Sequence, residues 1–425
     1  LLIDPVLSRN VAQARGDDWR RLRHIISPAF TSGRMKRMYP SIRQCLRDFQ
    51  THLDAYAMDR RPVDVKEMFG NFTMDVVATC AFATKTNVHN DRNNPVDRHA
   101  KSLLDFKPWK IIAMLALPPR WLTRLTVTTT VRPEGLVYFN KLMTDIIETR
   151  RKLTDASAKY TDFLQLLLDA HKDTDAAPED YKTSEANYVI EDEEPDNPLE
   201  GTGGKTPSVS YNKYMNDDEV RAQTFVILMS AYETTATTLT LAMYELALNP
   251  QHQQRLFDEL REVLQPDGDI DYDVLQSLPF MEAVVSETLR LHPPGMRLTR
   301  LATKDYTLGT TGITVRKGDQ VDIPTYAIHH NPEYYKLPFQ FDPDRFFDTK
   351  RRQHIKPYTY IPFGGGPRHC IGMRFALLEI KLGLAHIIRR YRLYGTGDTD
   401  VPLQYKRKYR LAFPKRVVVG IERRP

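Results

Sequence analysis

Cysteine is scarce in this sequence, and long apolar runs are missing from it. Three cysteines among 425 residues cannot form the disulfide framework of a small secreted protein. No segment approaches the roughly 20 consecutive apolar residues that a membrane-spanning helix needs, and no secretory signal peptide is visible. Cys45 and Cys80 are expected to be buried core residues. The low cysteine count fits a protein of a reducing compartment.

The charge balance and the apolar content narrow the class of protein further. The 60 basic residues exceed the 54 acidic ones by six, giving a net charge of +6. This excess allows a basic patch that meets an acidic partner or anionic lipid, and we expect no nucleic-acid partner. Apolar residues make up 41% of the chain, which is enough for a substantial core in one large domain.

The third cysteine, Cys370, lies in a loop of unusual composition. Residues 363–372 read Phe-Gly-Gly-Gly-Pro-Arg-His-Cys-Ile-Gly, and consecutive glycines let a backbone pass close to a flat ligand. The helical spacing that begins after Cys370 is carried by Phe375, Leu378, Leu382, Ala385 and Ile388. A helix N-terminus and the nearby Arg368 both favour the thiolate. Such a thiolate can ligate a metal or attack an electrophile; the alternative is a buried structural cysteine in a glycine-rich turn.

This segment resembles the haem-binding loop of the cytochrome P450 family, F-x-x-G-x-R-x-C-x-G, at Phe363, Gly366, Arg368, Cys370 and Gly372. The resemblance implies that Cys370 is the axial ligand of the iron in haem b. It also implies that Phe363 packs over the cysteine side of the porphyrin and that Arg368 pairs with a propionate. A thiolate ligand pushes electron density onto iron and favours cleavage of the O–O bond.

The resemblance covers nearly the whole chain and implies its fold. We expect a mainly α fold with small β-sheets, in which residues 1–425 form a single catalytic domain. Haem would lie between a long central helix and the helix that follows the cysteine loop. Compared with the family, the membrane anchor and the first helices are expected to precede Leu1.

Trp19 and Arg23 match a second family pattern, W-x-x-x-R. They are four residues apart in a predicted helix that opens at Gly16, so they share one face. The resemblance implies that both side chains reach a haem propionate. An ordinary amphipathic helix with a basic face is the alternative.

The segment from Asn216 to Leu248 predicts a helix about 48 Å long. Asn216 and Glu219 form a capping-box pattern, and Pro250 follows its end. The middle of the helix carries Thr234, Thr235, Thr237, Thr238 and Thr240. Because threonine hydroxyls bond back to carbonyls one turn earlier, this stretch is a local weakness and indicates a site.

Residues 230–235, Ser-Ala-Tyr-Glu-Thr-Thr, resemble the family pattern [AG]-G-x-[DE]-T-[TS]. The resemblance implies that Glu233 and Thr234 deliver protons to dioxygen, a task that needs an acid linked to solvent and a nearby hydroxyl. Ala231 replaces the commoner glycine beside the haem, and Ser230 replaces a small apolar residue and would place a hydroxyl near the substrate. A buried, paired acid is the alternative interpretation of Glu233.

Glu287 and Arg290 form an E-x-x-R pair on one helix face. The resemblance adds Arg345, from the segment 343–346, and implies a buried network that holds the haem core together. Arg300, in a following strand, resembles a propionate partner. Short strands are predicted over 301–325, and a closing hairpin over 405–421. The residues expected to face the substrate are Pro294, Met296, Leu411 and Ala412.

Two regions are interpreted from their composition. Residues 106–125 combine Trp109 and Trp121 with basic residues around a short apolar run, which suits either a membrane interface or a buried helix. Residues 173–216 include an acidic stretch at 191–196 and have few apolar residues, which predicts a disordered insertion.

Together the motifs indicate a haem-thiolate monooxygenase of the microsomal drug- and steroid-oxidising clan, acting on a lipophilic small molecule. The resemblance implies a monomer on the cytosolic face of the endoplasmic reticulum membrane, with electrons passing from NADPH through a flavoprotein reductase. Candidate docking residues are Lys356, Lys381, Arg389 and Arg390. The alternatives are an isomerase or dehydratase of the thromboxane-synthase type and a non-catalytic haem-binding protein. The Glu233-Thr234 pair argues against both.

Overall fold

The computed structural model describes residues 6–89, 91, 93–104, 134–153, 160, 162–172, 214–263, 269–407 and 412–424. These residues are mostly helical, as the sequence predicts. The α-helices among them are α1 (Gly16–Ile26), α2 (Ser32–Met58), α3 (Val65–Phe82), α4 (Pro95–Leu104), α5 (Glu134–Lys152), α6 (Phe163–Lys172), α7 (Asp217–Leu248), α8 (Pro250–Val263), α9 (Tyr272–Gln276), α10 (Pro279–Leu291), α11 (Thr325–His329), α12 (Asp344–Phe347), α13 (Thr349–Arg352) and α14 (Met373–Arg390). The strands are β1 (Val63–Asp64), β2 (Leu298–Leu301), β3 (Tyr306–Thr307), β4 (Thr314–Val315), β5 (Gln320–Ile323), β6 (Tyr391–Tyr394), β7 (Tyr405–Arg407), β8 (Ala412–Pro414) and β9 (Val418–Arg423).

Helix α7 begins as its capping pattern predicts. The Asn216 N–H donates to Glu219 Oε2 at 3.1 Å, and the Glu219 N–H donates to Asn216 Oδ1 at 2.9 Å. Every residue from Thr235 to Ala247 is buried, as expected of a helix without a polar face. The Thr238 hydroxyl donates to the carbonyl of Thr234 at 3.0 Å, one of the predicted back-bonds.

The chain forms two compact units, each described by itself. The first comprises Leu1–Cys45 and Asn71–Glu233. Within it, Arg150 forms a buried ion pair with Asp162 at 2.8 Å and lies over the ring of Tyr160. The Thr73 hydroxyl donates to the carbonyl of Tyr232 at 2.8 Å, which ties α3 to α7 inside this unit.

The second unit comprises Leu46–Gly70 and Thr234–Pro425 and contains the sheets. β9 is the central strand of an antiparallel sheet in the order β1-β9-β6, and β2–β5, β3–β4 and β7–β8 form two-stranded antiparallel pairs. The predicted hairpin over 405–421 is therefore too long. It ends at Pro414, because β9 pairs along both of its edges with β1 and β6 and buries Val419 and Ile421.

The helices predicted from Gly16, over 216–248 and after Cys370 are confirmed by α1, α7 and α14. Cys45 and Cys80 are buried, as expected. Among the described helices, none is both long and apolar enough to cross a bilayer. Some predictions concern parts of the chain outside the described ranges: Trp109, Trp121, Leu411 and nearly all of the 173–216 insertion. The side chain of Ala412 lies outside the described part as well.

Candidate active site

The loop that ends in Cys370 folds back on itself immediately before α14. Gly364 and Gly366 have φ values of +79° and +70°, the left-handed region that favours glycine. The Cys370 N–H donates to the carbonyl of Phe363 at 2.9 Å, which closes the loop. Cys370 forms no disulfide and is exposed. A tightly folded loop therefore presents the thiol outward.

Helix α14 anchors this loop on one side. The apolar residues that predicted the helix are all buried: Phe375, Leu378, Leu382, Ala385 and Ile388. On the other side, the buried ring of His329 accepts the N–H of Ile361 at Nε2 over 2.9 Å, two residues before Phe363. Burial lowers the pKa of His329 to about 3, so the ring is neutral and can accept this bond. The loop is thus held at both ends.

Two guanidinium groups lie close to the loop and to each other. In β2, Arg300 donates to the carbonyl of Thr299 at 3.1 Å and to that of Gly365 at 3.5 Å. Burial and then the positive charge of Arg300 lower the pKa of Arg368. Within the described ranges Arg300 makes no ion pair with a carboxylate. Arg300 and Arg368 therefore place two guanidinium groups close together, and the geometry of a guanidinium suits the carboxylate oxygens of an anion.

These features match the chemistry of haem. An exposed thiol supplies a ligand for iron, and glycine backbone without side chains admits a flat macrocycle. The guanidinium groups of Arg300 and Arg368 suit propionate carboxylates. Phe363 is half-buried and offers an aromatic surface beside the cysteine. The residues present therefore fit a haem group.

The predicted proton-delivery residues lie in the middle of α7. Glu233 is buried, whereas Thr234 is half-buried. Ser230 is exposed and Ala231 half-buried, and helical geometry places both on the same face as Thr234. This accessible stripe comes directly before the fully buried run that starts at Thr235. Thr234 is thus partly accessible at the point where the motif predicts chemistry.

Trp19 and Arg23 lie in α1, which begins at Gly16 as predicted. Both are half-buried, while Asp17 and Arg20 are exposed. The tryptophan and the arginine therefore occupy the inner side of the helix, on the shared face that the spacing predicts.

The E-x-x-R residues form a buried network together with Arg345, in the arrangement that the sequence predicts. Arg290 donates to Glu287 from Nε at 2.7 Å and from a terminal nitrogen at 2.8 Å. The Nε of Arg345 donates to the same carboxylate at 3.3 Å. Arg290 also donates to the carbonyls of His329 and Pro338, each at 2.8 Å. The network is thus linked to the cysteine loop through His329.

The predicted substrate-facing residues lie between α10 and β2. Pro294 is buried and Met296 is half-buried, and the carbonyl of Met296 accepts the N–H of Tyr326 at 3.1 Å. Their backbone is therefore fixed against the start of α11.

The predicted reductase-docking cations are corrected in part. Lys381 is buried, with its ammonium 2.6 Å from Glu282, because α14 is covered on this face. Lys381 is therefore not accessible to a reductase, and the prediction that it is a docking residue is wrong. Arg390 is ion-paired with Asp54, which makes it a poor docking residue. Lys356 is exposed.

One polar cluster in the second unit was missed by sequence reasoning. His292 Nε2 lies 2.7 Å from Glu245 Oε1, and its Nδ1 lies 2.9 Å from the hydroxyl of Tyr405. The three residues are separated by 47 and 113 positions in the chain, so no local pattern connects them. The one available signal was the histidine between the E-x-x-R helix and Pro293.

Comparisons with known proteins agree with this geometry. The family model described as Cytochrome P450 matches residues 2–191 and 204–418. The chain is 32% identical over 420 residues to Cytochrome P450 3A2 of Rattus norvegicus, covering 98% of this chain and 76% of that protein. It is 32% identical over 419 residues to Cytochrome P450 3A7 of Homo sapiens, covering 97% and 75%, and 32% identical over 402 residues to Cytochrome P450 3A28 of Bos taurus, covering 94% and 72%. The chain therefore belongs to the cytochrome P450 family and is a haem-dependent monooxygenase with haem b as its cofactor.

Proposed function

We propose that the protein inserts one atom of O2 into a lipophilic small molecule of the xenobiotic, steroid or fatty-acid type. NADPH supplies the electrons through a flavoprotein reductase. The observation that carries the proposal is the exposed thiol of Cys370 beside the guanidinium pair of Arg300 and Arg368. Bound there, haem b supplies the O2-activating chemistry, which a thiolate ligand promotes.

The chain's own residues hold and orient this group. Cys370 would supply the thiolate ligand to the iron, and Phe363 would pack against the bound group beside the cysteine. Arg300 and Arg368 bind propionate, which offsets the repulsion between their charges. Trp19 and Arg23 are propionate partners from α1.

Glu233 and Thr234 are the residues that transfer protons. The Thr234 hydroxyl holds a proton at the accessible face of α7, and the buried Glu233 carboxyl next to it moves protons between that hydroxyl and solvent. Ala231, on the same face of α7, would lie beside the bound haem. The substrate contacts Ser230, Pro294 and Met296, together with Leu411 and Ala412 of the β7–β8 connection.

The cellular setting is part of the same proposal. The protein works as a monomer on the cytosolic face of the endoplasmic reticulum membrane. The reductase docks on a surface that includes the exposed Lys356 and the half-buried Arg389. Because opposite charges steer such encounters, the rate of electron delivery should fall as salt concentration rises.

Spectroscopy of the reduced, carbon-monoxide-treated protein tests the thiolate site directly. We expect the strongly red-shifted Soret band of a thiolate-ligated haem, and we expect Cys370→Ser to abolish it. Cys45→Ser, a change at a buried cysteine elsewhere, should leave the band in place. Absence of the band from the unaltered holoprotein would contradict the proposal.

A turnover assay tests the reaction class. With NADPH and reductase, a panel of steroids, fatty acids and aromatic xenobiotics should yield oxygenated products. Rearrangement of a hydroperoxide without NADPH, and no oxygenation with it, would instead indicate an isomerase.

Thr234→Ala tests the role of the hydroxyl. NADPH oxidation should continue while its coupling to product falls by about two- to tenfold, since general acid–base groups contribute at least on that scale. The lost electrons should appear as hydrogen peroxide or water. Thr240→Ala, which removes a buried hydroxyl that donates to the carbonyl of Ala236 at 2.6 Å, is the matched control. Unchanged coupling in Thr234→Ala would exclude the assigned role.

A further inference from the structure

A hydrogen-bonded chain of three side chains connects separate parts of the second unit. Glu245 Oε1 lies 2.7 Å from His292 Nε2, and the side chains are only 10% and 12% exposed. On the other side of the ring, His292 Nδ1 lies 2.9 Å from the Tyr405 hydroxyl. An acid, an imidazole and a phenol are thus joined in one partly buried line.

The chemistry of the three groups sets the direction of the bonds. An ionised carboxylate can only accept, so His292 donates to Glu245 from Nε2. In the tautomer with its proton on Nε2, the ring has an acceptor at Nδ1, to which the Tyr405 hydroxyl donates over 2.9 Å. Burial raises the pKa of Tyr405 well above its ordinary value, so the phenol keeps the proton that it donates. Glu245 therefore fixes the tautomer that binds Tyr405.

The three hydrogen-bonded side chains come from three separate segments of the protein. Glu245 lies in the fully buried part of α7. His292 is the residue after α10, directly before Pro293, Pro294 and the segment that enters β2. Tyr405 is the first residue of β7. The hydrogen bonds among these side chains therefore hold two segments of the second unit, the residues after α10 and the start of β7, against the rigid helix α7.

The β7–β8 hairpin needs such an attachment. Its ladder pairs Tyr405 with Pro414 at one end and spans three residues on each strand. A two-stranded hairpin of this size is at best marginally stable by itself. Tyr244, adjacent to Glu245, donates from its hydroxyl to the carbonyl of Asp400 at 3.1 Å, just before the hairpin. Two phenols thus connect α7 with the base of the hairpin: the buried Tyr244 and the half-buried Tyr405.

We propose that Glu245, His292 and Tyr405 are positioning residues that fix the β7–β8 hairpin relative to the segment 293–298 and so set the affinity for large substrates. The inference rests on the proposed function, in which both segments contact the substrate. None of the three residues touches the reacting atoms. A small ligand that needs only the iron should not sense their loss.

The test compares two azoles that bind haem iron but differ in size. Clotrimazole is bulky and lipophilic and contacts the pocket walls, whereas imidazole is too small to do so. In Tyr405→Phe, loss of one hydrogen bond should raise the dissociation constant for clotrimazole about fivefold. The dissociation constant for imidazole, measured from the same Soret shift, should stay unchanged.

The variants are chosen to separate positioning from simple loss of stability. Glu245→Gln keeps an acceptor for His292 and should restore most of the affinity lost in Glu245→Ala. Tyr391→Phe removes a buried phenol that donates to Asp54 at 2.6 Å and should change neither azole constant. The double variant His292→Phe, Tyr405→Phe should bind clotrimazole no more weakly than either single variant. The reason is that all three variants lose the same hydrogen-bonded connection between Glu245 and Tyr405.

Hydrogen exchange supplies a readout that is independent of the haem. In Tyr405→Phe and His292→Phe, amides of residues 404–415 should exchange about fivefold faster, and in Tyr391→Phe they should not. Unchanged exchange together with unchanged clotrimazole affinity would overturn the inference. Equal weakening of both azoles would overturn it too, since it would indicate damage to the haem site. Failure of the unaltered protein to bind either azole would count against the proposed function, and the exchange experiment would still decide the positioning role.

Discussion

Two clusters in the second unit each contain a pair of arginines, but the two pairs have different roles. In the scaffold cluster, Arg290 and Arg345 surround the carboxylate of Glu287, and all three residues are buried. In the loop cluster, Arg300 and Arg368 lie beside the cysteine loop, half-buried, and the charge of one lowers the pKa of the other.

The difference between the clusters lies in how their donors are used. Arg290 directs its donors to Glu287 and to backbone carbonyls that no ligand could displace. Arg300 donates only to two carbonyls, one of them at 3.5 Å, within the part of the chain that is described. Saturated charges inside a protein hold structure, whereas charges that repel each other at a surface loop mark a place for an anionic ligand.

The largest effect should come from breaking the scaffold cluster. Glu287→Ala leaves two arginines buried without their acid and should cost about 3–5 kcal/mol of unfolding free energy. We expect little soluble, haem-containing protein, measured as the yield of the reduced carbon-monoxide band and as the thermal unfolding midpoint. A variant with the midpoint of the parent protein would show that the cluster is not a scaffold.

Acid should weaken the same scaffold through His329. Its pKa is lowered by burial from 6.5 to about 3, so below pH 6.5 protons bind the unfolded chain and not the folded one. Stability should therefore fall with decreasing pH by about 1.4 kcal/mol per pH unit from this residue.

Unfolding by denaturant between pH 7 and pH 4.5 measures this loss. His329→Gln should be less stable at pH 7 and show a shallower pH dependence. Some dependence should remain, because burial also lowers the pKa of His330, to about 4. An unchanged slope in His329→Gln would contradict the assignment.

Breaking the loop cluster should affect the cofactor rather than the fold. Arg300→Ala removes a charge-assisted hydrogen bond and should weaken haem retention about 10- to 100-fold, as transfer to apomyoglobin would measure. The unfolding midpoint of the haem-free protein should hardly move. Arg316→Ala, an exposed arginine following β4, is the control. Normal haem retention in Arg300→Ala would remove this residue from the site.

The smallest effect should come from an exposed pair. Arg255 lies 2.7 Å from Asp344, and both side chains are more than one-third exposed, at 39% and 35%. Arg255→Ala should cost about 1 kcal/mol or less in unfolding free energy, because surface ion pairs contribute little. The loss includes the contact of the guanidinium with the rings of Phe280 and Phe347. A cost similar to that of Glu287→Ala would show that burial does not decide the difference.

Local patterns were sufficient for many elements of this chain. The capping residues Asn216 and Glu219 and the apolar spacing after Cys370 predicted α7 and α14 closely, since both patterns act within a few residues. The glycines at 364 and 366 indicated left-handed backbone, which the loop has. Spacing also predicted that Glu287 and Arg290 pair, but their burial was implied only by the family resemblance.

Other predictions depended on contacts between distant residues and were less complete. The sequence offered Lys381 as a candidate docking residue for the reductase. It is buried against Glu282 from α10, 99 positions away. β9 was assigned to a hairpin with β7, but its partners are β1 and β6, which no short-range signal indicates.

The sequence by itself determined the class of chemistry, because one thiol, its glycine loop and its arginine lie within ten consecutive residues. Only the tertiary structure decided which charges are saturated, where β9 pairs and that Glu245, His292 and Tyr405 meet. Those outcomes depend on burial and on the pairing of distant groups, whose free energies arise only when the folded chain excludes water from between them.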